Sequence, residues 1–353
     1  MTRTLTAEDF ASWTEDRNGP VALFQRQKLL PVEGEGGVIF PPTYAGDGYD
    51  KTGYQISKLG DGTLVAEIDS VGSQANRIEP EFAHGERAEL VPQIAIRYDD
   101  NKDPLSLLEA GHRLGDAVVR CTELGHKVHA AFETFLDHHD AEPLAKIGPT
   151  SLVFGVWDSR DTQAKLPRIV QSVIRAEDVD VLKRSAQFNP ALDYSKLDVF
   201  TDSERENQQG KAGSQLAERG YVHVPAVASH GGVIARGSIE RRMTLNLVQV
   251  RRLGQGEALR RYILGLSLGA ATAPFDAFLR AGCLLTLDTD APAEWELVGR
   301  DGKRELVTLD ERTVIGFAQS AANSFGVGES GEFIFDKSLA KTDAWKKKGA
   351  AKK

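Results

Sequence analysis

The sequence has few cysteines and no long apolar run. Its two cysteines, Cys121 and Cys283, lie far apart and outside any C-x-x-C spacing, so they indicate neither a disulfide framework nor a zinc site. No window approaches the roughly 18 consecutive apolar residues of a membrane span, and the first ten residues, MTRTLTAEDF, lack the basic and apolar regions of a signal peptide. We therefore expect a soluble, cytoplasmic protein that makes no contact with a membrane.

Motifs that carry catalysis are also missing. The sequence has no G-x-S-x-G elbow, no G-x-x-x-x-G-K-[ST] loop and no G-x-G-x-x-G between a predicted strand and a helix. Several of the eight histidines cluster at 126–139, but no H-E-x-x-H or comparable spacing places them around one metal with a carboxylate. We therefore predict no catalytic residue, no metal site and no cofactor, and we expect that the protein is not an enzyme.

Positive charge is in short supply as well. The chain has 43 lysines and arginines against 51 aspartates and glutamates, and the resulting net charge of −8 argues by itself against nucleic-acid binding, which needs a positive field. The arginines are unevenly placed, however. Residues 230–261 contain seven arginines and two glutamates, a local excess of +5, so this block is a candidate contact for phosphate groups.

Apolar periodicity and turn residues predict strands that are few and unevenly spaced among helices. A capping-box pattern, Thr6-x-x-Asp9, predicts a helix that reaches Trp13, the Gly- and Pro-rich residues 33–53 predict a long loop, and the polar residues 193–220 a mobile insertion. Strands are predicted at 21–30, 63–68, 151–157, 169–174, 243–250, 284–287, 295–298 and 304–308, and helices at 105–136 and 257–268. This order favours an α+β fold over a doubly wound one.

The sharpest local signal for binding follows the predicted strand at 63–68. Asp69 and Ser70 are good N-cap types and indicate a helix start, where free backbone amides can hold a phosphate while an arginine neutralises it. The candidate contacts are Ser70, Ser73, Gln74, Asn76 and Arg77. An ordinary capped helix without a ligand accounts for the same residues.

The arginine block contains two doublets, Arg241/Arg242 and Arg251/Arg252, which the pattern places at the ends of a strand. Neighbouring side chains of a strand point to opposite faces, so at least one arginine of each doublet can reach a phosphate backbone. We select Arg241 and Arg242 as candidate contacts with nucleic acid. Surface solubility is the plain alternative for all four arginines.

The residues after Trp157 indicate a protruding hairpin, a shape suited to grip a nucleic-acid strand. A solvated hairpin without a ligand is the alternative. Asp158 and Asp161 raise another hypothesis, because carboxylates beside bound RNA can assist metal-dependent cleavage. The candidate cations of this hairpin are Arg160, Lys165 and Arg168.

Four segments together resemble a known family. They are GVIFPPTYA (37–45), DSVGSQANRIEP (69–80), LLEAGHRLGDAVVR (107–120) and LNLVQVRRLG (245–254). In these segments the chain resembles the RAMP-superfamily backbone subunit of type I-G (formerly I-U) CRISPR effector complexes. The resemblance implies an RRM-like (ferredoxin-like) palm with inserted finger and thumb elements over residues 18–335, with the thumb at 33–53 or 159–168, and it leaves residues 336–353 as a basic, disordered tail.

The resemblance also implies a function. Several copies would bind one CRISPR RNA without reading its sequence and polymerise along it, so that the guide can pair with target DNA. Further partners would be a large subunit, a fused cap and crRNA-processing subunit, and a recruited helicase-nuclease. One alternative is a type III-like backbone that cleaves target RNA with a loop aspartate and a metal, and another is an unrelated α+β metabolic enzyme.

Overall fold

The structure, a computed structural model, describes residues 2–44, 53–254 and 256–345. The protein is a mixed α+β molecule, as the sequence predicts. The helices are α1 Ala7–Glu15, α2 Val71–Ile78, α3 Ala117–Arg120, α4 Leu124–His138, α5 Glu142–Ile147, α6 Thr150–Phe154, α7 Asp202–Gln208, α8 Gln215–Glu218, α9 Leu247–Arg251, α10 Glu257–Ala271, α11 Glu311–Phe325 and α12 Lys337–Ala344.

The strands are β1 Arg3–Thr4, β2 Ala22–Pro31, β3 Ile56–Lys58, β4 Leu64–Asp69, β5 Ile94–Arg97, β6 Leu105–Ser106, β7 Val156–Trp157, β8 Lys165–Leu166, β9 Val170–Glu177, β10 Val179–Phe188, β11 Val224–Ala235, β12 Ile239–Asn246, β13 Phe278–Arg280, β14 Cys283–Leu287, β15 Glu294–Val298, β16 Arg304–Thr308 and β17 Gly331–Ile334. In the described residues, β1-β16-β15-β2-β12-β9-β4-β3 is the order of the main sheet, and β14 joins the end of β2. Its centre is an antiparallel block of four strands, β15, β2, β12 and β9.

Helices α10 and α11 form the centre of the main hydrophobic core. Helix α10 is buried from Tyr262 to its end, and the Tyr262 ring stacks on Phe325 of α11 with 4.7 Å between ring centroids. Gly265 permits this approach, because a Cβ atom there would lie 2.9 Å from the Cα of Ala318. The glycines of α10 therefore serve helix packing rather than binding.

A two-stranded ribbon formed by β10 and β11 leaves the main sheet after β9 and returns to it at β12. Residues 189–223 lie at its far end and contain α7 and α8, where the sequence predicted a mobile insertion at 193–220. The predicted loop at 33–53 contacts this ribbon, because Ile39 exchanges two backbone hydrogen bonds with Val233. Its residues 45–52 lie outside the described part of the chain.

Two predicted strands are partly helical. Residues 150–154 form α6, where every residue is buried, so the sequence offered no polar period to separate a helix from a strand. Strand β12 ends at Asn246, whose side chain accepts a hydrogen bond from the Gln249 amide at 3.0 Å and caps α9. Arg251 and Arg252 therefore lie at the end of a helix.

The predicted helix at 105–136 is helical mainly in α3 and α4, because β6 and short 3-10 turns occupy its first part. The basic tail, expected to be disordered, begins instead with α12, whose N-cap Asp336 accepts hydrogen bonds from two backbone amides. Residues 346–353 of that tail are outside the described residues. In the portion that the structure describes, no helix combines the length and apolar character needed to cross a bilayer.

Candidate nucleic-acid interface

The segment at 69–78 forms the strand, cap and helix that the sequence predicts. Strand β4 ends at Asp69, and Ser70 caps α2 by accepting a hydrogen bond from the Ser73 amide at 3.2 Å. Helix α2 packs on β9 at one side of the sheet, with Gln74 buried and Asn76 exposed. The five predicted contact residues therefore lie on one short helix and its N-cap, and some of their side chains are buried while others are exposed.

Asp69 is the centre of this arrangement. Its carboxylate is fully buried and accepts hydrogen bonds from Ser73 Oγ at 2.8 Å, Gln74 Nε2 at 2.7 Å, Arg77 Nε at 3.1 Å and the Arg280 guanidinium at 3.0 Å. The chain's own carboxylate thus already engages side chains of Ser73, Gln74 and Arg77, three of the predicted phosphate contacts. Contact of these side chains with RNA stays a prediction, and their contacts in the chain hold α2 on the sheet.

The remaining nitrogens of Arg77 are also engaged. One terminal nitrogen donates to Asp276 at 2.7 Å, and the other donates to the carbonyl of Leu279. Arg77 and Arg280 therefore tie α2 to the segment around β13. Nothing local in the sequence relates these residues, so neither Asp276 nor Arg280 was among the predicted site residues.

Arg241 lies close to α2, although the two are far apart in sequence. Its Nε donates to Ser172 Oγ at 3.3 Å, and Ser172 Oγ donates to Gln74 Oε1 at 2.9 Å. The guanidinium is buried beside the Phe275 ring, and burial lowers the pKa of Arg241 to about 10. Arg241 is in the middle of β12 rather than at a strand end, where the sequence analysis placed it.

Arg242 points to the opposite face of the sheet, as strand alternation predicts. Its guanidinium forms ion pairs with Glu240 at 2.7 Å and Glu177 at 2.8 Å. Burial lowers the pKa of Arg242, but the two glutamates outweigh burial and the net shift is upward. The charge of Arg242 is therefore neutralised within the chain, and the sheet separates it from α2.

The predicted hairpin is formed by β7 and β8. Its cations, Arg160, Lys165 and Arg168, are all exposed, and none forms an ion pair with any residue that the structure describes. Trp157 is 55% exposed, and Lys165 Nζ lies 5.4 Å from the centroid of its ring. Trp157 was not among the predicted contact residues, although an aromatic residue next to a polar, cationic loop is a signal for base stacking.

The two aspartates of the hairpin stabilise its shape. Asp158 is buried and accepts hydrogen bonds from the Thr162 amide at 2.8 Å and the Thr162 hydroxyl at 2.7 Å. Asp161 lies 2.7 Å from His129 Nδ1 of α4. Burial lowers the pKa of His129, but Asp161 and Glu133 outweigh burial, and the net shift of this pKa is upward. Among the described residues, no three His, Cys, Asp or Glu side chains are grouped so that they could hold a metal ion.

A buried ion pair connects the hairpin to α2. Arg113 pairs with Glu79 at 2.6 Å, and its guanidinium also donates to the carbonyl of Gly155 at 3.3 Å and to Asn76 Oδ1 at 3.5 Å. Burial raises the pKa of Glu79 and lowers that of Arg113. Arg113 therefore links α2 to the base of the hairpin through buried contacts.

On its other side, the hairpin borders a large cleft of about 1420 Å³. Trp157 and Arg160 line the rim, and Val118, Phe335 and Ala340 contribute apolar wall. The aromatic ring of Trp157 is thus open to an occupant of the cleft as well as to the solvent.

We predict that Asp69→Asn lowers the free energy of unfolding by about 3 kcal/mol, because it leaves the partly buried Arg77 and Arg280 without their carboxylate. Urea denaturation measures this change. The matched control is Asp276→Asn, which removes a more exposed partner of Arg77 and should cost less than about 1 kcal/mol. Equal losses in the two variants would contradict a central role for Asp69.

One comparison with known proteins bears on this surface. Residues 23–181 match the sequence model of a family described as CRISPR-associated protein GSU0053. The match covers somewhat less than half of the chain and extends from β2 into β10, so that it includes Asp69, α2 and the β7–β8 hairpin. A search among curated proteins found no match. The segment that carries α2 and the hairpin is thus similar in sequence to a CRISPR-associated family.

Proposed function

We propose that this protein binds CRISPR RNA through the ribose-phosphate backbone and forms the repeating filament subunit of a type I interference complex. The observation that carries the proposal is the β7–β8 hairpin, which presents Arg160, Lys165 and Arg168 to solvent without acidic partners in the described chain. Cations of this kind bind phosphates without reading bases. The guide bases then remain free to pair with target DNA, which is what a guide-holding subunit requires.

Trp157 adds the second element of a surface for single-stranded nucleic acid. Bases of any sequence stack on an exposed aromatic ring, and each such contact contributes roughly 1–3 kcal/mol. The ring of Trp157 is half exposed and has Lys165 above it. An exposed aromatic ring with a cation beside it suits a base whose phosphate is held nearby.

The strand order supports an RRM-like palm. In chain order, the central strands β2, β9, β12 and β15 occupy positions 2, 4, 3 and 1 of the block, and all neighbours are antiparallel. Helices α2 to α6 lie between the first two of these strands in the chain and α10 between the last two, which is the connectivity of a ferredoxin-like βαββαβ unit. We propose that the β10–β11 ribbon is the thumb and the β7–β8 hairpin a finger, in place of the two thumb candidates from the sequence.

The end of the ribbon supports association with further copies of the chain. Phe188, Leu192, Leu197 and Val199 are each about half exposed and lie in one stretch of the sequence at that end. Exposed apolar residues grouped in this way mark a protein interface. Contact of the ribbon with a neighbouring copy would be head-to-tail, and such contacts generate open filaments. The large subunit, the cap and crRNA-processing subunit and the helicase-nuclease remain expected partners of the filament.

The two alternative functions have their own tests. A type III-like subunit would cut guide-paired RNA in the presence of a divalent metal, and Asp158→Ala or Asp161→Ala would abolish the cutting. Asp158 instead holds the hairpin turn through Thr162, and Asp161 ties the hairpin to His129 of α4. An unrelated metabolic enzyme would purify without RNA, and the ratio of absorbance at 260 and 280 nm would reveal this.

We predict that the triple variant Arg160→Gln, Lys165→Gln and Arg168→Gln binds single-stranded RNA about 10- to 100-fold more weakly at moderate salt. The slope of log affinity against log salt concentration should fall by about 2, because three phosphate contacts are lost. Fluorescence anisotropy over a salt series measures both quantities.

A control variant with the same change in charge is Arg3→Gln, Arg97→Gln and Lys303→Gln, whose cations are paired with Glu305, Glu332 and Asp301. Its affinity and salt slope should stay close to those of the unmodified protein. Equal losses in both triple variants would show that only net charge matters and would refute the hairpin as the binding site.

We also predict that Leu197→Ser with Val199→Ser reduces the number of copies that assemble on a long single-stranded RNA. The apolar contact between neighbours is lost, while the hairpin of each copy still binds RNA. Sedimentation velocity measures the assembly, and anisotropy with a short RNA measures binding of one copy. The control is Leu59→Ser with Leu136→Ser, two similarly exposed leucines elsewhere. Unchanged assembly of the ribbon variant would contradict this role.

A further inference from the structure

Two arginines are buried in the part of the chain that the structure describes, and they differ in their partners. Arg113 pairs with Glu79 at 2.6 Å. Arg241 is 4% exposed and forms no ion pair with a described residue. Its Nε donates to Ser172 Oγ at 3.3 Å, its face lies against Phe275, and neither terminal nitrogen has a hydrogen-bond acceptor among the residues described.

An unpaired buried guanidinium is costly, because a charge removed from water needs a counter-charge and acceptors to compensate. A methionine at position 241 would have a similar volume and would pack against Phe275 without burying a charge. Proteins retain such locally unfavourable residues mainly at functional sites. The cost of burying Arg241 therefore points to a ligand that supplies the negative charge and the hydrogen-bond acceptors that the described chain lacks there.

A small cleft opens at the Arg241 guanidinium. It is lined by Gln74, Arg77, Arg241, Phe275 and Asp276 and encloses about 10 Å³, room for an atom the size of one water oxygen. Arg77 is committed to Asp69 and Asp276, and Gln74 to Asp69 and Ser172. The terminal nitrogens of Arg241 are thus donors without acceptors in the described chain, and an oxygen that bonds to them accepts their hydrogens.

We infer that this cleft is a socket for one non-bridging oxygen of an RNA phosphodiester, which hydrogen-bonds to the terminal nitrogens of Arg241. The inference rests on the proposed function and adds a specific contact to it. The hairpin cations bind the RNA backbone loosely from outside, whereas the socket admits a single oxygen in one position. It therefore sets where along the RNA backbone each copy is placed. Arg77 and Asp276 also line the socket, but they are paired with each other, so the unpaired charge there is that of Arg241.

The test is Arg241→Met, which removes the charge and preserves much of the volume. In the absence of RNA, the variant should have a melting temperature higher by roughly 2 °C or more, since an uncompensated charge is gone. Its affinity for a short single-stranded RNA should fall about tenfold, and its salt slope should fall by about 0.7. Inorganic phosphate at increasing concentration should raise the melting temperature of the unmodified protein more than that of the variant.

Two further variants separate charge from packing. Arg241→Lys keeps a positive charge and should lose less affinity than Arg241→Met. Arg242→Met removes the neighbouring arginine, which is paired with Glu177 and Glu240 on the other face; it should leave RNA affinity unchanged and lower the melting temperature. The opposite signs of the two stability changes are specific to the socket.

Several outcomes overturn the inference. They are a lower melting temperature for Arg241→Met, an unchanged affinity and salt slope for that variant, or an equal loss of affinity in Arg241→Lys and Arg241→Met. If the unmodified protein binds RNA in these experiments while Arg241→Met binds equally well, the socket is wrong and the proposed function stands. If the unmodified protein binds no RNA at any salt concentration, the proposed function itself fails.

Discussion

The surface described here depends on the buried carboxylate of Asp69. This single group holds the first turns of α2 through Ser73 and Gln74, and it holds the segment around β13 through Arg77 and Arg280. Because two guanidinium groups and two neutral donors meet on one carboxylate, the charge is well compensated despite complete burial. The position of α2 decides where Asn76 is exposed and where the cleft at Arg241 opens.

The secondary structure of this surface could be predicted because a strand, an N-cap and a helix are indicated by neighbouring residues in the sequence. A β-rich run followed by Asp69 and Ser70 indicates a strand, a cap and a helix, and the structure has all three. The functions of the side chains could not be predicted in the same way. Asp69 and Arg280 are 211 residues apart, so no spacing in the sequence reveals that they pair. Contact of α2 with a phosphate stays a prediction, but Ser73, Gln74 and Arg77 already donate side-chain hydrogen bonds to a carboxylate of the chain.

The arginine block at residues 230–261 also shows that the sequence does not reveal which charged side chains are paired. Counting charges between residues 230 and 261 indicated a cationic patch, yet Arg242 is neutralised by Glu177 and Glu240, which reach it across and along the sheet. Arg241, one residue away, has no such partner in the described chain. Strand alternation predicted that the two would face opposite sides, but which side is acidic depends on strand pairing. Net charge is therefore a poor guide here, because it does not tell which arginines are matched by carboxylates and which are not.

The central claim is that RNA lies along the surface from α2 to the β7–β8 hairpin. The most direct measurement is photo-crosslinking of the protein to single-stranded RNA that contains 4-thiouridine, followed by mass spectrometry of the crosslinked peptides. We predict crosslinks to Trp157 and to peptides that span residues 156–168 and 70–78. Crosslinks confined to the opposite face of the sheet, around Arg242 and its neighbour Arg26 on β2, would contradict this claim.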